Sequence, residues 1–134
     1  MKLIKYVNAH LALALLSKKE FPYSVSLKLV TLKKKIAPKV EFYSSEENKL
    51  AARYACKDEK GHPIISGGRF ECVGDTDAER NANAKEFEAK RRELGLTDDD
   101  ETFERVTVKV PEDFALSPES LEALSDFVEF EVTV

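Results

Sequence analysis

The order of hydrophobic periods along this chain predicts an α+β fold, with a helical N-terminal half packed on a small β-sheet and a C-terminal strand–helix–strand unit. Three observations carry that expectation. Helical spacing of apolar residues runs from Leu3 to Tyr54. The period switches to two at Val106, Val108 and Val110, and again at Val128, Phe130, Val132 and Val134. Between those strands, Ser117-Pro118-Glu119 supplies an N-cap, a first-position proline and an acid in the first turn, which specifies a short helix from Pro118 to about Ser125. The 134 residues suit a single domain spanning 1–134, with 43% hydrophobic and 34% charged side chains, as in an ordinary globular chain.

Leu3 to Lys19 is the first expected helix. Ile4, Val7, Leu11 and Leu15 repeat at helical spacing, alanines favour the helix, and Lys18 and Lys19 would complement the dipole in its last turn. Phe21-Pro22 would stop it, because the residue before a proline is pushed out of the α region. A second helix is expected from Ser24, with a long stripe of Val25, Leu29, Leu32, Ile36, Val40, Tyr43, Leu50 and Tyr54. Pro38 removes one ladder hydrogen bond and clashes with the carbonyl of Lys34, so a kinked helix or two nearly collinear helices are expected.

Lys57 to Gly61 is turn chemistry. His62–Ile65 and Arg69–Val73 read as short strands of a hairpin through Ser66-Gly67-Gly68. Asp75, Thr76 or Asp77 would cap a largely polar helix that touches the core through Ala84, Phe87 and Leu94 and closes at Gly95. The expected sheet contains Arg69–Val73, Thr102–Val110 and Phe127–Val134, with Val106, Val108, Phe130 and Val132 on one buried face. No apolar run approaches the roughly 20 residues of a membrane span. The absence of a signal-peptide pattern and the two lone cysteines, Cys56 and Cys72, lead us to expect a cytoplasmic protein with free thiols.

Charge is the most uneven property of the sequence. Residues 1–73 hold fourteen Lys/Arg against seven Asp/Glu, a net of +7, and residues 74–134 hold seven against eighteen, a net of −11. Two opposed fields of that size can steer association. Lys28, Lys33, Lys34, Lys35 and Lys39 form the densest basic face, which is suited to phosphates but reads more simply as a solvated helix face opposite the Leu29/Leu32/Ile36 stripe. Asp98, Asp99, Asp100 and Glu101 form the acidic counterpart, read as a solvated loop because an EF-hand spacing is missing. Cys56, His62 and Cys72 are soft ligands without a close ligand pair, and His10 stands alone on an Ala/Leu-rich helix. No catalytic arrangement assembles from these residues, and no cofactor or metal is expected. Gly67-Gly68 lacks the strand–loop–helix context of a phosphate loop.

The run Phe21-Pro22-Tyr23-Ser24-Val25, then Leu32-Lys33-Lys34, then Tyr54-Ala55-Cys56-Lys57-Asp58-Glu59-Lys60-Gly61 resembles a family of small uncharacterised phage and prophage proteins. Lys85-Glu86-Phe87 through Val110, and Leu116-Ser117-Pro118-Glu119, resemble its later helix, acidic strand and closing short helix. The resemblance implies a viral or prophage origin and work inside the cytoplasm of a bacterial host. The expected function is a non-enzymatic accessory protein that binds a macromolecular partner, in virion assembly or as an inhibitor of a bacterial defence protein, with the acidic half mimicking nucleic acid. The alternative is a nucleic-acid-binding module using the basic face. A protein partner and no membrane complete the expectations, with two equal readings of the Val25–Tyr54 stripe: a homodimer contact, or packing within the chain against the first helix.

Overall fold

The periodicity from Leu3 onward folds, in the computed structural model, into α1 (Leu3–Leu16), followed by α2 (Tyr23–Tyr54). The structure describes residues 1–66 and 69–133; Gly67 and Gly68, expected in a hairpin loop, and Val134, expected in the last strand, lie outside them. The elements that follow are β1 (Ile65–Ser66), β2 (Arg69–Phe70), α3 (Asp77–Leu96), β3 (Val106–Pro111), α4 (Pro118–Leu124) and β4 (Val128–Thr133). The α+β class is as expected, with helices filling the N-terminal half and a strand–helix–strand unit at the C-terminal end. The chain forms two compact units, one of Met1–Glu41 with Asp98–Val134, the other of Phe42–Thr97.

The first unit holds α1, the N-terminal part of α2 and the β3–α4–β4 segment. Its fully buried side chains are Tyr6, Leu16, Ile36, Val108, Leu124 and Phe127. Tyr6 meets Phe103 edge-on at 5.7 Å and Phe127 at 5.9 Å between ring centroids, arrangements that add to plain burial. α1 packs on α4. The face of α1 that is buried is Leu3, Tyr6, Ala9, Leu13 and Leu16, and not the expected Ile4/Val7/Leu11/Leu15 stripe, whose Leu11 and Leu15 are exposed. α1 is apolar on nearly every side, so spacing alone does not choose a face; the bulk of Tyr6 and its hydroxyl partner do. The helix also ends earlier than expected, which leaves Lys18 and Lys19 beyond its last turn. Lys19 sits over the Phe114 ring instead, at 5.1 Å.

β3 and β4 pair in parallel, with Val106 opposite Val128, Val108 opposite Phe130 and Val110 opposite Val132. α4, capped by the Ser117 hydroxyl accepting from the Ser120 amide at 3.1 Å, is the crossover that parallel pairing requires. Val108, Val110 and Val128 are buried and Phe130 is partly so, but Val132, expected on the buried face, is 59% exposed at the end of the ladder. The expected three-stranded sheet is corrected to two separate pairs. Arg69–Phe70 pairs only with Ile65–Ser66, an antiparallel contact local to the second unit.

The second unit is built on the C-terminal part of α2 and on α3, whose Thr76 cap accepts from the Glu79 amide at 3.2 Å. Gly95, expected to close α3, lies inside its last turn and is buried, and Thr97 caps the end. Tyr54, Cys72 and Phe87 form the core, with Leu50, Ala51, Phe70 and Ala84 packed around them. The expected strands His62–Ile65 and Arg69–Val73 shrink to two-residue segments supplemented by isolated bridges at Ala55–Cys72 and Lys57–Pro63. The Asp58 carboxylate accepts from the amides of Lys60 and His62, and Gly61 takes φ 79°, which closes the turn.

α2 passes through Pro38 as one helix. Pro38 is exposed, so the ladder bond it removes lies on the side of the helix open to solvent. The long apolar stripe is as expected: Leu29, Leu32 and Ile36 are buried in the first unit, and Tyr43 and Tyr54 in the second.

Candidate functional site

The charged residues singled out in the sequence separate into groups that are neutralised within the chain and groups that are not. Asp99 is the centre of the first kind. Its Oδ1 accepts hydrogen bonds from the Tyr6 hydroxyl at 3.0 Å, the Met1 ammonium at 3.2 Å and the Glu101 amide at 3.1 Å. Its Oδ2 is buried and takes no well-aligned hydrogen bond, but lies 2.9 Å from Lys39 Nζ, and that charge–charge contact compensates it. Lys39 also donates to Glu101 at 2.9 Å, and the Met1 ammonium donates to Asp98 at 2.7 Å.

The backbone of the loop folds to make this possible. Asp98 accepts from the amide of Asp100, and Asp100 itself takes φ 60°, a left-handed conformation that Asp tolerates better than most residues. The solvated loop expected at Asp98–Glu101 is therefore corrected. Its outer carboxylates stay partly exposed, but Asp98, Asp99 and Glu101 are each paired, because residues far away in sequence bring an ammonium, a lysine and a phenol to them. Burial alone would raise the carboxyl of Asp99, but the close Lys39 ammonium and the hydrogen bond from Tyr6 outweigh it and hold the group well below the usual carboxylate range. Burial, reinforced by Asp99, pushes the Tyr6 phenol well above its ordinary value. The bonds to Glu101 and then Asp99 raise Lys39.

The rest of the basic face is placed differently. Lys28, Lys34 and Lys35 are exposed and Lys33 is partly buried, and none of them takes an ion pair among the described residues. Lys33 borders a small, mostly apolar pocket of about 180 Å³ with Lys19, Phe21 and Val30. Tyr23, Leu27 and Val30 recur on one side of α2 and are exposed, Tyr23 by 81%. At spacings of i, i+4 and i+7 they form an outward stripe beside the lysines.

Asp100 takes no ion pair among the described residues, and neither do several acidic residues that the sequence reading did not single out. Glu104, Glu112, Asp113, Glu119, Glu122, Glu129 and Glu131 are exposed and take no ion pair among the described residues, whereas Asp126 meets Lys5 at 3.2 Å. Alternation in β4 could have flagged Glu129 and Glu131, since outward positions of a half-buried strand carry its charges. Between α1 and α4 lies an open groove of about 720 Å³ lined by Leu11, Leu15, Glu119 and Glu122 among others.

Ion pairs also form within the second unit. Tyr54 donates to Glu86 at 2.8 Å, and this bond, then one from Lys90, holds the Glu86 carboxyl below its usual value. Arg91 pairs with Glu47 at 2.9 Å. Cys56 and Cys72 are free thiols, and the Cys56 Sγ points to the Cys72 carbonyl at 3.6 Å. Burial, then the neighbouring Cys56, pushes the Cys72 thiol up, which lowers its reactivity. His62 is exposed and His10 partly buried. Among the described residues no group of three His, Cys, Asp or Glu is placed to hold a metal ion, and no helix is long and apolar enough to cross a membrane.

No family model, curated protein or solved structure matches the chain.

Proposed function

We propose that this chain is a non-enzymatic protein that binds a basic macromolecular partner through the exposed carboxylates of the loop after β3, of α4 and of β4. The observation that carries the reading is the set of exposed carboxylates at Glu112, Asp113, Glu119, Glu122, Glu129 and Glu131, which take no ion pair among the described residues. Carboxylates without an ion-pair partner keep their charge available to another molecule, and rows of them compete for arginines that otherwise hold phosphates. The Asp98–Glu101 loop contributes less, because the Met1 ammonium and Lys39 offset part of its charge. The resemblance to phage and prophage proteins adds the setting to the proposal: a bacterial host cytoplasm, with a role in virion assembly or in obstructing a defence protein's nucleic-acid groove.

The test is capture of proteins from infected bacterial lysate by the purified chain and by the variant Glu112→Gln/Asp113→Asn/Glu122→Gln. Nucleic-acid-binding proteins retained by the first in low salt, released by moderate salt and lost by the variant are expected. Equal capture by both proteins, or turnover of a metabolite by the purified chain, would overturn the reading.

A second reading, a nucleic-acid-binding module, is favoured by one observation. Tyr23 is exposed on the same helix as Lys28, Lys34 and Lys35, and an exposed aromatic among lysines gives bases a surface to stack on. A gel shift that weakens steeply with salt and is lost in Tyr23→Ala supports it; no shift at low salt refutes it.

A further inference from the structure

The β3–β4 ladder is a parallel pair standing alone, an arrangement that normally forms part of a larger sheet. Its hydrogen-bond pattern fixes which backbone groups are spent. The Val106 amide donates to the Phe127 carbonyl, so Val106, Val108 and Val110 turn their backbone groups toward β4. By the same alternation, Phe130 and Val132 turn theirs away from β3, and among the described residues nothing bonds to them. The two outer edges are not equivalent. Along β3 the outward positions include Lys109 and Pro111, and a proline has no amide to offer, which is how natural sheets close an edge. Along β4 the edge has no such block, and Glu129, Glu131, Val132 and Thr133 are all exposed.

The geometry points to β4 as an acceptor for a third strand, supplied by an extended segment that alternates basic and apolar residues. This rests on the reading that the acidic surface binds a basic partner, and it names the mode. Outward backbone groups at Phe130 and Val132 would provide the main-chain bonds, as in other strand-addition complexes. Glu129 and Glu131 stand on the solvent face, where the flanking residues of an added strand would lie beside them, so Lys or Arg is favoured there. The other face of the added strand would lie beside Phe130 and the exposed Val132, so apolar residues are favoured at the alternate positions. A second copy of this chain is a poor occupant: antiparallel β4–β4 pairing centred on Phe130 sets Glu129 against Glu131 of the partner copy, like charge facing like charge.

The probe is a capped octapeptide alternating lysine with valine and threonine, compared with a peptide of the same composition whose alternation is scrambled and with a glutamate version. Amide NMR on the intact chain should show Phe130 and Val132 exchanging rapidly in the free protein and becoming protected with the alternating lysine peptide alone. The variant Glu129→Lys/Glu131→Lys, at two exposed positions, should lose about tenfold in affinity for the lysine peptide and gain for the glutamate one. Equal binding of the alternating and scrambled peptides, with no protection at Phe130 and Val132, would overturn strand addition while leaving the acidic-surface reading intact. Amides already protected in the free protein would show the edge to be closed and overturn it as well. Absence of binding by any lysine peptide at low salt would overturn both.

Discussion

Replacing Asp99 with Asn keeps the shape of the side chain and removes its charge. Oδ1 can still accept from Tyr6 at 3.0 Å, but the bond becomes one between neutral groups, roughly half as strong as one to a carboxylate. The amide nitrogen of Asn then confronts Lys39 Nζ where Oδ2 stood 2.9 Å away, donor against donor, and the two must separate. The side chain of Asp99 is only 16% exposed, so water does not fully restore what is lost. Taking about 1 kcal/mol for the weakened phenol bond and about 1 kcal/mol for the lost lysine pair gives a destabilisation of about 2 kcal/mol. For a chain of this size that corresponds to a melting temperature lower by about 7 °C at neutral pH.

The pH dependence gives a sharper test. In the folded chain the Asp99 carboxyl lies well below its ordinary 3.8, so the folded state binds this proton less readily than the unfolded state does. Its contribution is present in full above that value and is lost as pH falls through it toward the lower folded value. Thermal melts should therefore show the gap in melting temperature between Asp99→Asn and the parent constant at neutral pH and closing in acid. A gap below 1 °C at pH 7, or one that does not narrow in acid, would refute the reasoning.

Two further predictions follow from backbone and core geometry. Gly74 takes φ 155°, and a Cβ there would lie 2.7 Å from the Arg80 amide nitrogen at the start of α3, so Gly74→Ala should cost about 2 kcal/mol in a urea melt. An unchanged midpoint would mean the turn relaxes freely. Val108 is fully buried, so Val108→Asp should cost several kcal/mol through an uncompensated charge, with loss of a cooperative thermal transition as the readout; parent-like melting would show that β3 does not face the core.

Features set by short-range chemistry were legible in the sequence. Thr76 and Ser117 announce their helices because a hydroxyl three residues before an amide is a local arrangement, and the stripe keeps its phase across Pro38, with Leu29 and Ile36 buried before it and Tyr43 after it. What was illegible depends on distant residues. The buried face of α1 could not be chosen from its own apolar content, and the choice rests on Tyr6 reaching Asp99, 93 positions away. Likewise, nothing near Asp98–Glu101 declares that Lys39 and the Met1 ammonium will arrive to pair with Asp98, Asp99 and Glu101. The strands β3 and β4 were legible as strands, but their parallel partnership and the exclusion of Arg69–Phe70 were not, since alternation specifies a face and leaves the neighbour open.

The interrupted make-up of the first unit sets an order of events during synthesis. Its two stretches, Met1–Glu41 and Asp98–Val134, are separated by the whole of Phe42–Thr97. A ribosome delivers Leu16 and Ile36 early, whereas Val108, Leu124 and Phe127, which share their core, emerge only after the intervening unit is out. Tyr54, Cys72 and Phe87 are all available before then, so the inserted unit can close first. For the interval between, the nascent chain carries an apolar α1 without its cover, the stage at which a holding chaperone would find a grip and a protease an opening.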